Sequence, residues 1–143
     1  MATPTSRDLW EQWGRLWNGD LAVADEIIAP DFVAHFAAVG PSPTEVRGPE
    51  GLKQWIGGAM ALFTGHQFTT TVGPIADGDT IAGRWVFRAT YRGGFPGAPD
   101  TAVGRAVEYA GIDILRVVDG KLVEYWLCAD ILQLLQQLGM FPS

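Results

Sequence analysis

The chain holds a single cysteine, Cys128, among 143 residues, so no internal disulfide can form. It holds two histidines, His35 and His66, and has no His-x-His or Cys-x-x-Cys pair. Such spacing matches no known metal-ligand set, and a metal-free protein is the expectation. The three serines, Ser6, Ser42 and Ser143, fall in predicted loops or ends, and none lies in a Gly-x-Ser-x-Gly step, which argues against a serine nucleophile. No Gly-x-Gly-x-x-Gly follows a predicted strand, so no dinucleotide cofactor is expected. Ten basic residues stand against 16 acidic ones, for a net charge of −6 and no basic run. Nucleic acid and anionic membrane surfaces are therefore poor partners. No window approaches the ~18 apolar residues of a membrane span. The start, MATPTSRDLW, lacks a basic region followed by an apolar run, so no signal peptide is expected. The expectation is a soluble cytoplasmic protein.

What is abundant is apolar and flat. Hydrophobic residues make up 48% of the chain, with six Trp and seven Phe, against 18% charged residues. This composition belongs to ordered globular proteins, and the length to one domain, 1–143. So many rings suit a packed core, and equally a cavity with aromatic walls. Cys128 lies in a predicted strand and reads as a buried, inert thiol.

Along the chain, Thr5 and Asp8 form a capping-box pattern ahead of Leu9, Trp10, Trp13, Leu16 and Trp17 at helical spacing. Asp20 reads as the cap of a short helix over Leu21–Ile28, ended by Pro30. Asp31–Phe36 reads as a strand, Ala37–Arg47 as a loop, and Pro49–Phe63 as a third helix. From Gln67 the period becomes two, with strands at Gln67–Ala76, Thr80–Tyr91, Arg105–Val118 and Lys121–Cys128, and a terminal helix at Ala129–Leu138. The glycine-rich stretch Gly93–Gly97 reads as a mobile loop. Helices first and strands after predict an α+β protein: a cone-shaped barrel in which a curved antiparallel sheet wraps three N-terminal helices. Gly73, Gly83 and Gly111 are the expected bending points.

The organising stretch is Val107–Leu138, two strands joined by Asp119-Gly120, a strong hairpin signal. Counting back from that turn pairs Val118 with Lys121, Leu115 with Glu124 and Asp113 with Trp126. Tyr109, Asp113, Glu124, Trp126 and Asp130 then share one face, with Ile112, Ile114, Tyr125 and Leu127 behind. Three carboxylates beside two aromatics suit a pocket lining. Asp130 reads either as the N-cap of the last helix or as a desolvated carboxylate able to shuttle protons. At least one of the three must be paired or exposed, since burying all of them would cost several kcal/mol. Arg84, Arg88 and Arg116 are the available strand cations, and Glu124 to a strand Arg reads as a structural pair. His35 reads as a rim residue or as an imidazole pointing into the cone. His66, after Gly65, reads as solvated.

The segments Asp31-Phe32-Val33-Ala34-His35, Arg47-Gly48-Pro49-Glu50-Gly51, Ala89-Thr90-Tyr91-Arg92-Gly93-Gly94-Phe95-Pro96-Gly97, Asp113-Ile114-Leu115-Arg116 and Asp119-Gly120-Lys121-Leu122-Val123-Glu124-Tyr125-Trp126, with the ending Asp130…Leu138-Gly139, resemble in order and spacing the SnoaL-like polyketide cyclase (ester cyclase) family. The resemblance implies a nuclear-transport-factor-2-like cone and an intramolecular aldol ring closure without metal or cofactor. It implies that Asp130 is the acid/base aspartate and that His35 corresponds to the histidine many relatives carry after the second helix. Tyr91 stands where many relatives have the histidine of Thr-His-x-Gly. On this reading Asp130 removes a proton between two carbonyls. His35, or Tyr91 with Arg88, then binds the enolate, and Trp126, Tyr109, Asp113 and Glu124 line the substrate site. The expected partner is a small hydrophobic polycyclic substrate. A homo-oligomer, dimer or tetramer, is expected to cover a convex sheet face carrying Trp85 and Phe87. Alternatives on the same pocket are a tailoring step (hydroxylation, epoxide opening or rearrangement) and ligand binding without catalysis.

Overall fold

The computed structural model describes residues 4–37 and 45–141, so most of the predicted loop before the third helix lies outside the described residues. Helix α1 spans Ser6–Trp17 and opens on the reciprocal cap foreseen in the sequence: Asp8 N–H donates to Thr5 Oγ1 at 3.0 Å, and Thr5 N–H to Asp8 Oδ2 at 3.1 Å. Its five apolar residues are all buried. Each buried Trp removes roughly 150–250 Å² from water, a gross gain of about 4–6 kcal/mol.

The second predicted helix is smaller than expected. A 3₁₀ turn at Leu21–Val23 runs into α2, Ala24–Ile27, and Asp20 makes no cap bond there. Asp20 accepts from Arg15 instead, at 2.8 Å. Strand β1 (Ile28–His35) and helix α3 (Gly48–Met60) follow, then β2 (Phe63–Asp77), β3 (Thr80–Tyr91), β4 (Ala106–Val118), β5 (Lys121–Ala129) and α4 (Ile131–Gln137).

The five strands form one curved sheet in the order β1-β5-β4-β3-β2. β2 to β5 are an antiparallel meander, and β1 adds a parallel edge strand beside β5. The architecture is the α+β cone foreseen from the sequence, with this parallel edge as the departure in detail. Two buried clusters fill it. One joins α1 to β1, α3, Leu115 and Tyr125; the other joins Phe63, Trp85, Phe87 and Tyr109 to Leu134 and Leu138 near α4.

The hairpin turn forms as its sequence demands. Asp119 and Gly120 both have positive φ, 52° and 76°, which is what a two-residue turn matched to strand twist requires. Val118 pairs with Lys121, but Val117 then pairs with Leu122 and Arg116 with Glu124. Val123 is therefore an extra residue on β5, a bulge. Beyond it Asp113 faces Leu127, not Trp126. Because strand side chains alternate, one inserted residue exchanges the faces of the rest of β5. Tyr125 and Leu127 turn inward beside Tyr109 and Asp113, and Glu124 and Trp126 turn outward.

Trp85 and Phe87, expected on the convex face, point inward and are buried, while Arg84 and Arg88 on either side of them are exposed. Ile112, Ile114 and Trp126 are among the apolar residues exposed on the sheet. Two glycines are needed for close packing: a Cβ on Gly83 would lie 2.3 Å from the Trp10 ring, and one on Gly111 would lie 2.3 Å from the Trp85 ring.

Candidate functional site

Between the two core clusters lies a cavity of about 480 Å³, within the range of small-molecule sites. Aromatic rings wall it: Trp17 from α1, Trp55 from α3, Phe63 and Phe68 from β2, Trp85 from β3, Tyr109 and Tyr125 from β4 and β5. The rings touch in sequence. Trp17 meets Trp55 edge-on at 5.3 Å and Phe68 at 5.5 Å, Phe68 meets Trp85 at 5.1 Å, and Trp85 meets Tyr109 at 5.8 Å. Phe36, Glu45 and Gln54 also border the cavity.

One carboxylate is buried on this wall. Asp113 is 4% exposed, the only buried charged side chain among the described residues. Trp13 Nε1 donates to its Oδ2 and Tyr125 OH to its Oδ1, both at 2.9 Å. Burial pushes its pKa up to about 6, against the nearby donors of Trp13, Trp85 and Tyr125, which favour the anion. The Trp85 N–H lies close enough to contribute without reaching hydrogen-bond geometry. Desolvation thus outweighs well-placed donors, and the group changes charge near neutral pH. Burial, then the Asp113 charge, pushes the phenol of Tyr109 up, so Tyr109 stays protonated as a donor. The same causes hold Tyr125 well above its ordinary value.

The other residues expected at the site are elsewhere. Asp130 is exposed and caps α4, accepting the Gln133 N–H at 3.1 Å. Its neighbours Ala129 and Ile131 line the cavity; Asp130 does not. Of the two readings of this aspartate, the cap is the one the geometry shows. Of the two readings of His35 the rim one is what the geometry shows: it lies on the outer face, because β1 pairs in parallel with β5 and His35 sits beside Trp126. Its ring stacks on Trp126 at 5.5 Å, and its Nε2 meets Glu124 Oε2 at 2.7 Å. Glu124 also accepts from Arg116 Nε at 3.0 Å, the structural pair foreseen. The His35 bond first, and Arg116 after it, hold the Glu124 carboxyl below its usual range.

Arg88 is exposed and pairs with Glu108 outside the cone, so it cannot reach an enolate in the cavity. Tyr91 is buried beside the cavity, where its hydroxyl accepts the Phe95 N–H at 2.8 Å. It anchors the glycine-rich loop so that Phe95 borders the cavity. Of the residues named from sequence, only Asp113 and Tyr109 meet in the cavity.

Two further expectations are corrected. Cys128 is exposed, because the bulge turns it outward with Trp126. His66 lies within β2, half-buried, with Nε2 donating to the Trp17 carbonyl at 3.0 Å and its ring stacked on Phe87. Trp17, Trp85, Phe68 and Tyr125 were not singled out for the site. For Trp85 a signal existed: Gly83, Trp85, Phe87, Ala89 and Tyr91 alternate with Arg84, Arg88 and Thr90, which assigns the rings to the inner face. Among the described residues no group of three or more His, Cys, Asp or Glu side chains is arranged to hold a metal. No described helix is long and apolar enough to cross a membrane.

A family model described as SnoaL-like polyketide cyclase matches residues 7–138. The chain belongs to this family. Among solved structures it is similar to IdmH of Streptomyces antibioticus, a proposed polyketide cyclase, with 32% identity over 95% of this chain and 99% of that one and a TM-score of 0.77. AclR of Streptomyces galilaeus, a proposed hydroxylase, is 27% identical over 99% of this chain and 85% of that one, with a TM-score of 0.79. TsrD of Streptomyces laurentii is 26% identical over 94% and 95%, also at 0.79. No curated protein matches the sequence.

Proposed function

We propose that this SnoaL-like protein is an acid/base enzyme that closes a ring of a flat, polycyclic polyketide by intramolecular aldol addition. Asp113, in place of Asp130, is the base. The observation that carries this reading is the burial of one carboxylate on the wall of an otherwise aromatic cavity, anchored by Trp13 and Tyr125.

The Asp113 carboxylate takes the proton from a carbon between two carbonyls, leaving an enolate and a carboxylic acid. The enolate carbon attacks a second carbonyl of the same molecule, forming one C–C bond. The resulting alkoxide takes the proton back from Asp113. Atoms and charge balance without oxidant or water. Hydrogen bonds from Trp13 and Tyr125 fix the carboxylate, and the rings hold the substrate so that the reacting carbons meet. A well-placed general base contributes roughly 10²–10⁴-fold, and positioning adds more. Tyr109, held protonated, is placed to donate to an oxygen of the substrate.

A second reading, hydroxylation on the same cavity, is favoured by the likeness to AclR. It would add one oxygen atom from dioxygen and consume a reductant. Product mass separates the two. Incubation with an anthraquinone carrying a β-diketone side chain is expected to yield a cyclic isomer of unchanged mass. A product heavier by one oxygen would move the reading to hydroxylation, and an unchanged ligand would sink the cyclase. The exposed Ile112, Ile114 and Trp126 are the apolar residues a second copy would cover, and a homodimer is the proposed state. Sedimentation at monomer mass would refute it.

A further inference from the structure

Two cavity-lining side chains carry polar groups with nothing to bond. The indole N–H of Trp17 and that of Trp85 reach no partner in hydrogen-bond geometry, although their residues are 7% and 6% exposed; that of Trp85 lies close enough to Asp113 to favour its anion. A buried unsatisfied donor costs about 1–3 kcal/mol, and native proteins hold few of them. Two other buried indoles here are satisfied: Trp10 Nε1 donates to Thr70 Oγ1 and Trp13 Nε1 to Asp113, each at 2.9 Å. The two orphans are not scattered. Both residues line the main cavity, both rings pack edge-on against Phe68, and both residues line, with Asp113, a small side recess of about 30 Å³.

We infer that the Trp17 and Trp85 N–H groups are the substrate's oxygen-binding donors, which select a ligand presenting two acceptor oxygens to the Asp113 wall. This rests on the cyclase reading above and sharpens it. Asp113 is the one carboxylate buried there, and Trp13 and Tyr125 each take one lone pair of its oxygens, so beside the acceptor that removes the proton this part of the wall offers a ligand only donors. That inventory fits ketone and enolate oxygens and disfavours amines or ammonium groups. A 1,3-dicarbonyl has two such oxygens flanking the carbon whose proton Asp113 takes. Trp85, nearer the carboxylate, is assigned the oxygen that becomes anionic, and Trp17 the other. Neutral donors fixed in a water-poor site stabilise charge as it develops and need no reorganisation. The arrangement also explains why an indole stands at each position where a plain ring would fill the space.

The test uses the same anthraquinone β-diketone and its parent hydrocarbon, anthracene, as probes. Proton abstraction is read as deuterium exchange at the central carbon by NMR. Replacing the Trp85 indole by benzothiophene keeps the ring shape and removes only the N–H. It is expected to slow exchange about 10–100-fold, retain the rise in rate through pH about 6, and leave anthracene affinity unchanged. The same replacement at Trp17 is expected to weaken diketone binding about tenfold, again without effect on anthracene. Trp85→Phe and Trp17→Phe are the genetic versions, and thermal unfolding shows whether they fold. Exchange and diketone affinity at wild-type values in both benzothiophene variants would overturn the inference while leaving Asp113 as base. Equal losses for diketone and anthracene would also overturn it, because they would mark a damaged wall. If Asp113→Asn exchanged normally, the cyclase reading itself would fail. The ratio of diketone to anthracene affinity would still test the two donors.

Discussion

Asp113→Asn is expected to lower turnover by about 10²–10⁴-fold, the contribution of a general base, while leaving the fold intact and more stable at neutral pH. The geometry supports both halves. An amide can keep both anchors: its oxygen accepts from Trp13 Nε1, and its nitrogen donates to Tyr125, whose hydroxyl can accept as well as donate. What it cannot do is carry a charge or take a proton. The stability change follows from linkage. The folded carboxyl titrates at about 6 against a model value of 3.8, so the folded state holds its proton more tightly. Stability contributed by this group therefore falls as pH rises from about 4 to about 6, and the cost of the buried anion is fully present above that. Its size is on the order of 3 kcal/mol. The asparagine variant should gain stability relative to wild type at pH 7 and show no advantage at pH 4. The wild-type rate should climb through pH about 6 to a plateau as the base ionises. Asp130→Asn is the control: asparagine caps a helix about as well as aspartate, so turnover and melting temperature should barely change. A variant pair with the opposite pattern, inactive at 130 and active at 113, would restore the reading taken from the sequence.

The family resemblance put Asp130 ahead of Asp113, and the turn register placed the β5 side chains one residue away from where they lie. The turn at Asp119-Gly120 was legible because two positive φ angles leave few residue choices. The bulge at Val123 was not. In Leu122–Leu127, apolar residues occupy both parities, so no alternation chooses which set faces inward. Continuing the turn register without a bulge put Glu124 and Trp126 in the cone and Tyr125 behind them, the reverse of what forms. The two readings of His35 stayed open for a related reason. Its direction depends on how β1 pairs with β5, a contact between segments some ninety positions apart that local patterns do not encode. Asp113 was placed on the inner face correctly, because β4 alternates cleanly. Its rank was hidden, since the indole that anchors it comes from Trp13, 100 residues away. The helices of α1 and α3, the strand meander and the cone were readable because capping and periodicity are local. Which carboxylate ends up buried was not, because burial is a property of the assembled wall.

The packing of that wall yields the second large effect. Gly111→Ala is expected to destabilise the protein by about 1–3 kcal/mol, the usual cost of overpacking a filled interior. An added Cβ would meet Trp85 Cζ2 at 2.3 Å and Cη2 at 2.6 Å, distances that real contacts do not reach. Phe68 at 5.1 Å and Tyr109 at 5.8 Å box the Trp85 ring on two sides, so its retreat must break these contacts or intrude on the cavity. Backbone entropy acts in the opposite direction, because alanine restricts the unfolded chain and would by itself add some 0.4–1 kcal/mol of stability. The steric term is therefore expected to win by a margin that chemical denaturation can measure. A double-mutant cycle isolates it. The clashing atoms belong to the six-membered ring of the indole, which a phenylalanine at 85 does not extend as far. In a Trp85→Phe background, Gly111→Ala should cost little or become neutral, a coupling of at least about 1 kcal/mol. An equal cost in both backgrounds would mean that the ring is not what demands glycine at 111. The same contact ties fold to chemistry. Whatever moves Trp85 away from Gly111 also moves it along the cavity wall beside Asp113, so Gly111→Ala should weaken binding of the β-diketone probe as well as stability. A bare glycine on β4 thus sets where the indole of β3 can lie, and with it the shape of the surface against which a flat substrate must rest.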